Sequence, residues 1–432
     1  MNIVLLSAIL IIGLLTLLAI GVPIAFGLSF LSVIGILLLI GPDGLTAIIS
    51  IAWGGLANFV LTPLPLFILM GEFITLGAIG DDIFELAHKW LGRLPGGMAV
   101  ATTSACAIFG AMCGTSIGAV AAIAPASVQQ MLERGYDKKI ALGSVCAAGS
   151  LAMLIPPSAP LILYGIIAET SIGALFIAGV IPGILIAALI SFYIIIRVLK
   201  NRSLAPSVPG FSWKAKLSAL KLAWAPLLLI LAVLGTIYTG IATPSESAAI
   251  GALVAFLLCA LKRFEPRKLG KILLAVTCTN SMICMILVGA LSFGYLLNIQ
   301  QIPQNLSNWV VSLSLSPWVV MIMLQLILIA MGCFLDSGSL ILITMPILLP
   351  VVVGLGFDLT WFGILIIINI EIGVVTPPVG LNLYVLKAVA PPSVTLKDII
   401  WGVFPFIFIL AGALAIVMVF PQIALWLPAT MK

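Results

Sequence analysis

A polar stretch that occurs twice constrains the fold of this chain more than any other feature of its sequence. The first copy runs from Cys113 to Ser158, and the second runs from Leu335 to Gly380. A shift of 221 positions aligns the two copies and also residues outside them, including these pairs: Ser116 with Ser337, Pro125 with Pro346, Pro156-Pro157 with Pro377-Pro378, and Pro23 with Pro244. We therefore predict a duplicated chain in which each half carries a polar site that breaks its helices.

The surrounding sequence is too apolar for a water-soluble protein of this length. Apolar residues make up 63% of the chain, charged residues make up 8%, and the mean hydropathy is +1.34. The apolar runs are long enough to cross a bilayer as helices of about 20 residues, and they lack period-2 alternation. The composition predicts an all-α integral membrane protein in a lipid bilayer. Because the basic residues follow the predicted topology, the net charge of +5 does not indicate a nucleic-acid partner, and none is expected.

The cysteines and the single histidine do not indicate a metal centre. Seven cysteines lie in or beside apolar segments without a CxxC motif, so we interpret them as buried small hydrophobic residues. His88 lies in the polar segment 81–97 and is predicted to be a solvated residue of a loop. An intramembrane histidine, paired carboxylates and a nucleophile–base pair are missing from the apolar sequence, so no enzyme activity, catalytic residue or organic cofactor is expected.

The spacing of polar residues predicts two re-entrant hairpins and two broken helices. Apolar arms at 98–112 and 119–131 are each too short to span the membrane, so a hairpin that enters and leaves on one face fits better. A second hairpin is predicted near 318–353, and helices at 139–169 and 360–388 are interrupted by Pro-Pro pairs. The predicted units are scaffold helices in 1–96 (the first near 3–20), a transport unit in 97–171, scaffold helices with basic linkers in 172–317, a second transport unit in 318–390, and a final scaffold helix in 391–432.

Basic residues predict the orientation of the chain in the membrane. A central linker carries only basic charges, at Arg197, Lys200, Arg202, Lys214, Lys216 and Lys221. If this linker is cytoplasmic, tracing outward places 18 of the 19 Lys and Arg residues in the cytoplasm, with Lys432 as the exception. The two hairpins then enter from opposite faces, which is the inverted-repeat arrangement of many transporters. Both termini are predicted to be periplasmic.

The helix breaks supply polar groups for ligand binding at membrane depth. Each break leaves carbonyl groups free at one helix end and N–H groups free at the next helix start. The carbonyls suit a cation and the positive helix N-termini suit an anion. Hydroxyl groups add neutral oxygens that favour Na+ over a transition metal, at Thr115, Ser116, Ser158, Ser337, Ser339 and Thr376. A single proline would indicate only a kink, and a single cluster of small residues only helix packing, but both features occur twice at matched spacing.

The charged residues near these breaks have two interpretations each. Asp336 lies at the second hairpin tip, where it could bind an ion or proton or could simply cap the returning helix. Glu371 faces either the site or a neighbouring helix, and Glu246 is expected to interact with the start of its own helix. No Lys or Arg lies in the proposed path, so an anionic substrate would be held by helix N-termini, hydroxyls, Asn382 and bound cations.

Several motifs resemble the large membrane subunit of the tripartite ATP-independent periplasmic (TRAP) transporters, within the wider ion-transporter superfamily. The matching motifs are distributed over essentially the whole chain, at Phe109–Ser116, Ile155–Ser158, Ile177–Gly183, Thr243–Glu246 and Thr376–Asn382. The resemblance implies a Na+-driven, elevator-type importer in the bacterial inner membrane, with a transport domain that moves against a scaffold. It also implies a small four-helix membrane subunit and a soluble periplasmic substrate-binding protein. The implied substrate is an organic acid: a C4-dicarboxylate, a sialic or other sugar acid, or a keto acid.

The resemblance further implies two Na+ sites and a substrate site between them. One Na+ site would join the first tip to the first break and would comprise Gly114, Thr115, Ser116, Pro156 and Ser158. The other would comprise Asp336, Ser337, Gly338, Ser339, Thr376, Pro377 and Gly380. Substrate would lie near Ser116, Ser158, Thr376 and Asn382. Since Thr115 corresponds to Asp336, the two cation sites need not be equivalent.

Three other functions remain open from the sequence. A stand-alone Na+/dicarboxylate symporter or an antiporter of the same superfamily would keep the fold and dispense with the partner proteins. A channel would also use re-entrant hairpins, although inverted halves fit alternating access at least as well. A membrane-embedded enzyme has the least support.

Overall fold

Helices form every regular element in the part of the chain that the structure describes. This computed structural model describes residues 9–10, 12–14, 16–18, 20–206, 210–263, 265–312 and 315–431. The α-helices are α1 Ile24–Leu39, α2 Leu45–Leu56, α3 Pro63–Leu76, α4 Ile79–Leu91, α5 Gly97–Cys113, α6 Ser116–Glu133, α7 Lys138–Ser150, α8 Ala159–Ile167, α9 Ile172–Lys200, α10 Trp213–Ala219, α11 Trp224–Ile230, α12 Thr236–Tyr238, α13 Pro244–Arg263, α14 Pro266–Ile299, α15 Ile302–Ser312, α16 Pro317–Gly332, α17 Ser337–Gly354, α18 Leu359–Val374, α19 Leu381–Val389, α20 Leu396–Val419 and α21 Gln422–Leu425. No strand occurs among these described residues.

Six of these helical segments are long and apolar enough to cross a membrane. They are Phe59–Leu76, Ile172–Lys200, Pro244–Lys262, Pro266–Ile299, Ser337–Gly354 and Leu396–Val419, and a bent pair over 213–238 could make a seventh. The prediction of an all-α membrane protein is thereby confirmed. Half of the helix predicted near 3–20 lies outside the described residues, and so does Lys432.

The two halves repeat the same local devices at their helix starts. Gly135 and Gly356 have φ values of 77° and 78°, a left-handed conformation that favours glycine. Two residues later, Asp137 accepts hydrogen bonds from the backbone N–H groups that open α7, and Asp358 accepts one from the N–H of Trp361 at 2.8 Å. Since these pairs are 221 residues apart, the helices α7 and α18 begin in the same way in both halves.

Helix breaks occur at the four places that the repeat indicates. Helices α5 and α6 are separated by two residues, and α16 and α17 are separated by the segment 333–336. A turn at 151–158 separates α7 from α8, and a segment at 375–380 separates α18 from α19. Both Pro-Pro pairs contain a cis peptide bond. The breaks are as predicted, whereas the re-entrant course of the hairpins remains a prediction.

The polar segment after α3 differs from the prediction because it forms the amphipathic helix α4. Ile79, Ile83, Phe84 and Ala87 recur at helical spacing and are buried. Asp81 and Asp82 lie in the first turn and Lys89 lies in the last, which suits the helix dipole. Because charged residues lie between the apolar positions, the average polarity of the segment is high. The average therefore does not show the helical spacing of its apolar residues.

His88 is therefore not the solvated loop residue that we predicted. Its side chain stacks on the Phe84 ring with centroids 6.0 Å apart and meets the edge of Phe211 at 5.2 Å. The Arg134 guanidinium lies 3.5 Å from its Nε2 atom. Burial, and then the positive charge of Arg134, lower the pKa of His88.

Two smaller corrections concern α14 and its cysteines. The helix predicted near 278–299 begins already at Pro266, where proline at the first position needs no backbone donor. Cys278 on this helix is exposed and Cys284 is half-buried, whereas the other five cysteines are buried as predicted.

Candidate functional site

The first hairpin tip is a two-residue link between α5 and α6. Gly114 follows α5 with φ of 69°, which a residue with a side chain adopts only at a cost. Thr115 is extended and caps α6, because its Oγ1 accepts a hydrogen bond from the N–H of Gly118 at 3.3 Å. Gly-Thr thus ends one helix and starts the next within two residues.

The second tip uses a carboxylate for the same task. Asp336 caps α17 by accepting hydrogen bonds from the N–H groups of Gly338 at 3.0 Å and Ser339 at 3.2 Å. The Ser339 hydroxyl also donates to this carboxylate. Asp336 therefore caps the returning helix, as one of its two interpretations predicted. The carboxylate itself lies at the tip.

Each tip is fastened to the broken helix of its own half. The N–H of Ala159, at the start of α8, donates to the carbonyl oxygen of Gly114 at 3.5 Å, and the N–H of Val379 donates to that of Cys333 at 3.2 Å. A Cβ atom added to Gly114 would overlap the carbonyl oxygen of Pro157. Tip and break therefore form one packed unit in each half.

Both units contribute to one cavity with a volume of about 350 Å³. The first tip contributes Gly114, Thr115 and Ser116, and the second contributes Asp336, Ser337 and Gly338. Four helix starts line this cavity: Ser116 of α6, Ala159 of α8, Ser337 of α17 and Leu381 of α19. No lysine or arginine lines it. Backbone N–H groups and helix dipoles are therefore the sources of positive potential at this site.

One wall of the cavity comes from α14, which sequence reasoning did not include. Thr279, Met282, Ile283 and Ile286 of this helix lie along the cavity. The signal available in the sequence was the polar run 277–280 inside an otherwise apolar stretch. That run has no counterpart in the repeat, so its sequence alone does not mark a site.

Three of the four predicted substrate residues lie outside the lining of this cavity, and only Ser116 is part of it. Ser158 is buried, caps α8 through the N–H of Leu161 at 3.3 Å, and donates to the carbonyl of Met153. The Thr376 hydroxyl donates to the carbonyl oxygen of Ile372 at 2.5 Å.

Asn382, the remaining predicted substrate residue, connects the two halves. Its Nδ2 atom donates to the carbonyl oxygen of Cys146 in α7 at 3.4 Å. Its side chain is buried, and its Oδ1 atom has no hydrogen-bond partner among the described residues. Gly380, with φ of 46°, opens α19 just before it.

The oxygen donors of the two units fit a hard monovalent cation. A hydroxyl that donates to a carbonyl, as in Ser158 and Thr376, retains lone pairs that can face a cation. The described residues contain no group of three or more His, Cys, Asp or Glu residues that could hold a metal ion. The donor set is therefore neutral oxygens together with the Asp336 carboxylate, which suits Na+ better than a transition metal.

Two other acidic residues singled out in the sequence have different surroundings. Glu246 closes a capping box at the start of α13: its carboxylate accepts a hydrogen bond from the Thr243 N–H at 2.8 Å, and its own backbone N–H donates to Thr243 Oγ1 at 3.3 Å. Glu371 is fully buried in α18, and neither carboxyl oxygen has a hydrogen-bond partner among the described residues.

Comparison with known proteins identifies the family of this chain. The family model for the tripartite ATP-independent periplasmic transporter, DctM component, matches residues 11–423. The chain belongs to this family. The permease is 36% identical over 397 residues to the C4-dicarboxylate TRAP transporter large permease protein DctM of Pseudomonas aeruginosa, with 91% of each chain covered. It is 32% identical over 420 residues to the sialic acid TRAP transporter large permease protein SiaM of Vibrio cholerae, covering 96% of the permease and 97% of that relative.

A solved transporter shares the fold of the permease. The YdaH transporter of Alcanivorax borkumensis matches with a TM-score of 0.59 at 16% identity, over 91% of the permease and 90% of that chain. At this identity only the fold is transferred. The family assignment confirms the TRAP resemblance and the prediction of a transporter and not an enzyme. The permease is thus a multi-pass membrane protein for substrate import by secondary transport.

Proposed function

We propose that the permease imports a small organic anion driven by a Na+ gradient, with the substrate bound in the cavity between the two tips. The observation that carries this proposal is the meeting of four helix starts in one cavity without a lysine or arginine. Each helix start carries a partial positive charge, which stabilises an anion.

The names of two relatives support the proposed substrate class. Their names specify C4-dicarboxylate and sialic acid, both of which carry carboxylate groups. We extend this to the permease as a C4-dicarboxylate, a sialic or other sugar acid, or a keto acid. The cavity volume of about 350 Å³ lies within the range of about 300–1,000 Å³ that is usual for small-molecule sites, so it does not choose among these acids.

The charge of the second tip supports coupling to Na+. The Asp336 carboxylate lies on the lining of the cavity that would receive an anion. Two like charges at close range repel each other strongly where water is excluded. A cation held by the tip oxygens would offset this repulsion, so anion binding would depend on prior cation binding. We assign the two Na+ sites to the tip and break residues given in the sequence analysis.

An elevator movement would carry the two tip-and-break units together against the remaining helices. Close packing suggests that α9 and α20 move with them, in contrast to the predicted boundaries. A Cβ atom on Gly143 of α7 would overlap the carbonyl of Gly402 in α20, and one on Gly179 of α9 would overlap the carbonyl of Leu154. Interfaces this close do not slide. We therefore place α9 and α20 in the moving body and α14 in the stationary wall.

The family name describes a tripartite system, and we propose two partners accordingly. One is a small four-helix membrane subunit, and the other is a soluble periplasmic binding protein that delivers the substrate. The bacterial inner membrane, with both termini on the periplasmic side, is the proposed location.

Uptake into proteoliposomes tests this function. The permease is co-expressed with its small subunit, and a panel of labelled organic acids is offered with and without an inward Na+ gradient and the cognate binding protein. Uptake that requires both supports the proposal and identifies the substrate. Uptake with Na+ alone would indicate a stand-alone symporter. Uptake independent of Na+ would contradict the cation sites at both tips.

A further inference from the structure

The short helix α10 and the turn that follows it present an apolar stripe to the surroundings. Trp213, Leu217, Leu220 and Trp224 are between 46% and 72% exposed. Their spacing of four, three and four residues places them on one side of a helix. The opposite side, including buried Ala219, packs towards α4.

Lysines flank this stripe on both sides. At 100° per residue, Lys214 and Lys221 lie along one edge and Lys216 lies along the other. The Lys216 ammonium lies 5.3 Å from the ring centroid of Trp213 and 6.0 Å from that of Trp90. The Trp90 indole N–H donates to the carbonyl oxygen of Lys216 at 3.2 Å, which fixes the helix on α4.

The lysines at this stripe have no acidic partner. The segment 197–221 contains no Asp or Glu. The ion pairs formed by the described residues involve Lys89, Lys262 and Lys268 only. Three positive charges therefore surround an exposed apolar face without an acidic partner among the described residues.

We propose that α10 is an interfacial helix that binds the headgroups of anionic phospholipids. The stripe continues over 224–238, where Leu227 of α11 and Leu231, directly after α11, are exposed. This segment is bent by 43° from 213–222, and the two together are long and apolar enough to be a broken span. In a phospholipid the phosphate lies next to the acyl chains. On this surface the lysines likewise lie next to the leucines, so one lipid can contact both. Tryptophan is the residue that best tolerates the boundary between these two layers.

Charge complementarity favours a lipid over a protein as the occupant. A water-soluble partner would leave the leucines of α11 uncovered, and a membrane helix would need acidic residues at one depth to match three lysines. Anionic lipids satisfy both features in a single molecule.

Tryptophan quenching by brominated lipids tests this proposal. The permease is reconstituted in phosphatidylcholine containing a minor fraction of either brominated phosphatidylglycerol or brominated phosphatidylcholine. Comparison with Trp213→Phe isolates the Trp213 signal. We expect local enrichment of phosphatidylglycerol by at least about fivefold, the factor expected for a single basic residue near an anionic surface. A triple variant, Lys214→Gln with Lys216→Gln and Lys221→Gln, should show no preference.

The matched control removes three charges from another basic cluster, at Arg267, Lys268 and Lys271, by the same change to glutamine. It should keep the preference, since these residues lie on α14 and not beside Trp213, although Lys268 also loses its ion pair with Glu265. If the lysine triple variant does not fold, Lys214→Gln with Lys221→Gln alters only exposed side chains. Equal quenching by both lipids in the wild type, or equal loss in both triple variants, would overturn the proposal. Loss of quenching by both lipids when the small membrane subunit is added would show that protein covers this face.

Discussion

The first tip of the permease is capped by a neutral residue and the second by a charged one. Thr115 and Asp336 are 221 residues apart and occupy the same position, immediately before the helix that returns from the tip. Thr115 accepts one backbone hydrogen bond, whereas Asp336 accepts two and a hydroxyl bond besides. The duplicated backbone therefore tolerates a difference of one full charge at the cavity.

This difference indicates how two similar halves can perform different tasks. The backbone requirement at each tip is a residue that ends one helix and caps the next, which either side chain fulfils. The electrostatic requirement differs, because only the second tip repels an anion and attracts a cation directly. We expect substrate and cation binding to depend unequally on the two halves.

The largest expected effect is that of Gly114→Ala. An alanine there must adopt a positive φ and its Cβ would overlap the Pro157 carbonyl, so tip and break would separate. A displacement of this kind in a binding site reduces rates by about a hundredfold. Initial uptake in proteoliposomes measures the effect.

The control for that change is Gly356→Ala. Gly356 also has a positive φ, at 78°, but a Cβ atom there would meet nothing within 4 Å. It should cost stability, by about 1 kcal/mol, and leave uptake within about twofold of wild type, as expected for a residue that does not line the cavity. If both variants lose uptake equally, the backbone conformation matters and the contact between tip and break does not.

Asp336→Asn removes the charge of the second tip and retains an oxygen for the cap. We expect the Na+ concentration for half-maximal uptake to rise by about tenfold, which corresponds to about 1.4 kcal/mol. Thr115→Ser retains the neutral hydroxyl of the first tip, so it should leave the Na+ concentration for half-maximal uptake unchanged. If the Na+ dependence of Asp336→Asn were unaltered, Asp336 would act only as a helix cap. The two tips would then not differ in their effect on cation binding.

Local chemistry explains why the tips and breaks could be predicted from sequence. Pro-Pro pairs and cap residues at matched spacing interrupt helices wherever they occur. The tertiary arrangement could not be predicted in the same way. That Ala159 and Leu381 line the same cavity as Ser116, while Asn382 contacts Cys146 instead, depends on how distant helices pack.

The charged helix α4 and the wall from α14 were missed for related reasons. Polar residues concealed the apolar periodicity of α4, so His88 was placed in a loop although it is buried between aromatic rings. Thr279 lies in α14, which carries no break. Sequence features identify where a helix stops more readily than which continuous helix faces the site.

Ser116→Ala and Ser337→Ala test whether the halves contribute equally to substrate binding. Both residues begin a helix and line the cavity. If each hydroxyl donates one hydrogen bond to the anion, each change should raise the substrate concentration for half-maximal uptake by about fivefold, or about 1 kcal/mol. Ser127→Ala is the control, because Ser127 is buried in α6 and donates within its own helix to Ile123. Unequal effects would identify the half that dominates recognition.

The smallest expected effect concerns pH and is confined to the first half. The residue 221 positions after His88 is the exposed Trp309, so the second half lacks an equivalent titratable contact. Because the folded pKa of His88 is lowered, its stabilising contribution is present above the unfolded pKa of about 6.5 and is lost as the pH falls below that value.

Hydrogen exchange detects this loosening, after correction for the intrinsic dependence of exchange on pH. Between pH 7.5 and pH 5.5 we expect exchange in α4 to increase by about two- to threefold, while α15 in the second half changes little. In His88→Gln the difference between α4 and α15 should disappear, since glutamine does not titrate. Equal acceleration of both helices in the wild type would show that the pH response belongs to the whole permease and not to the contact between His88 and Arg134.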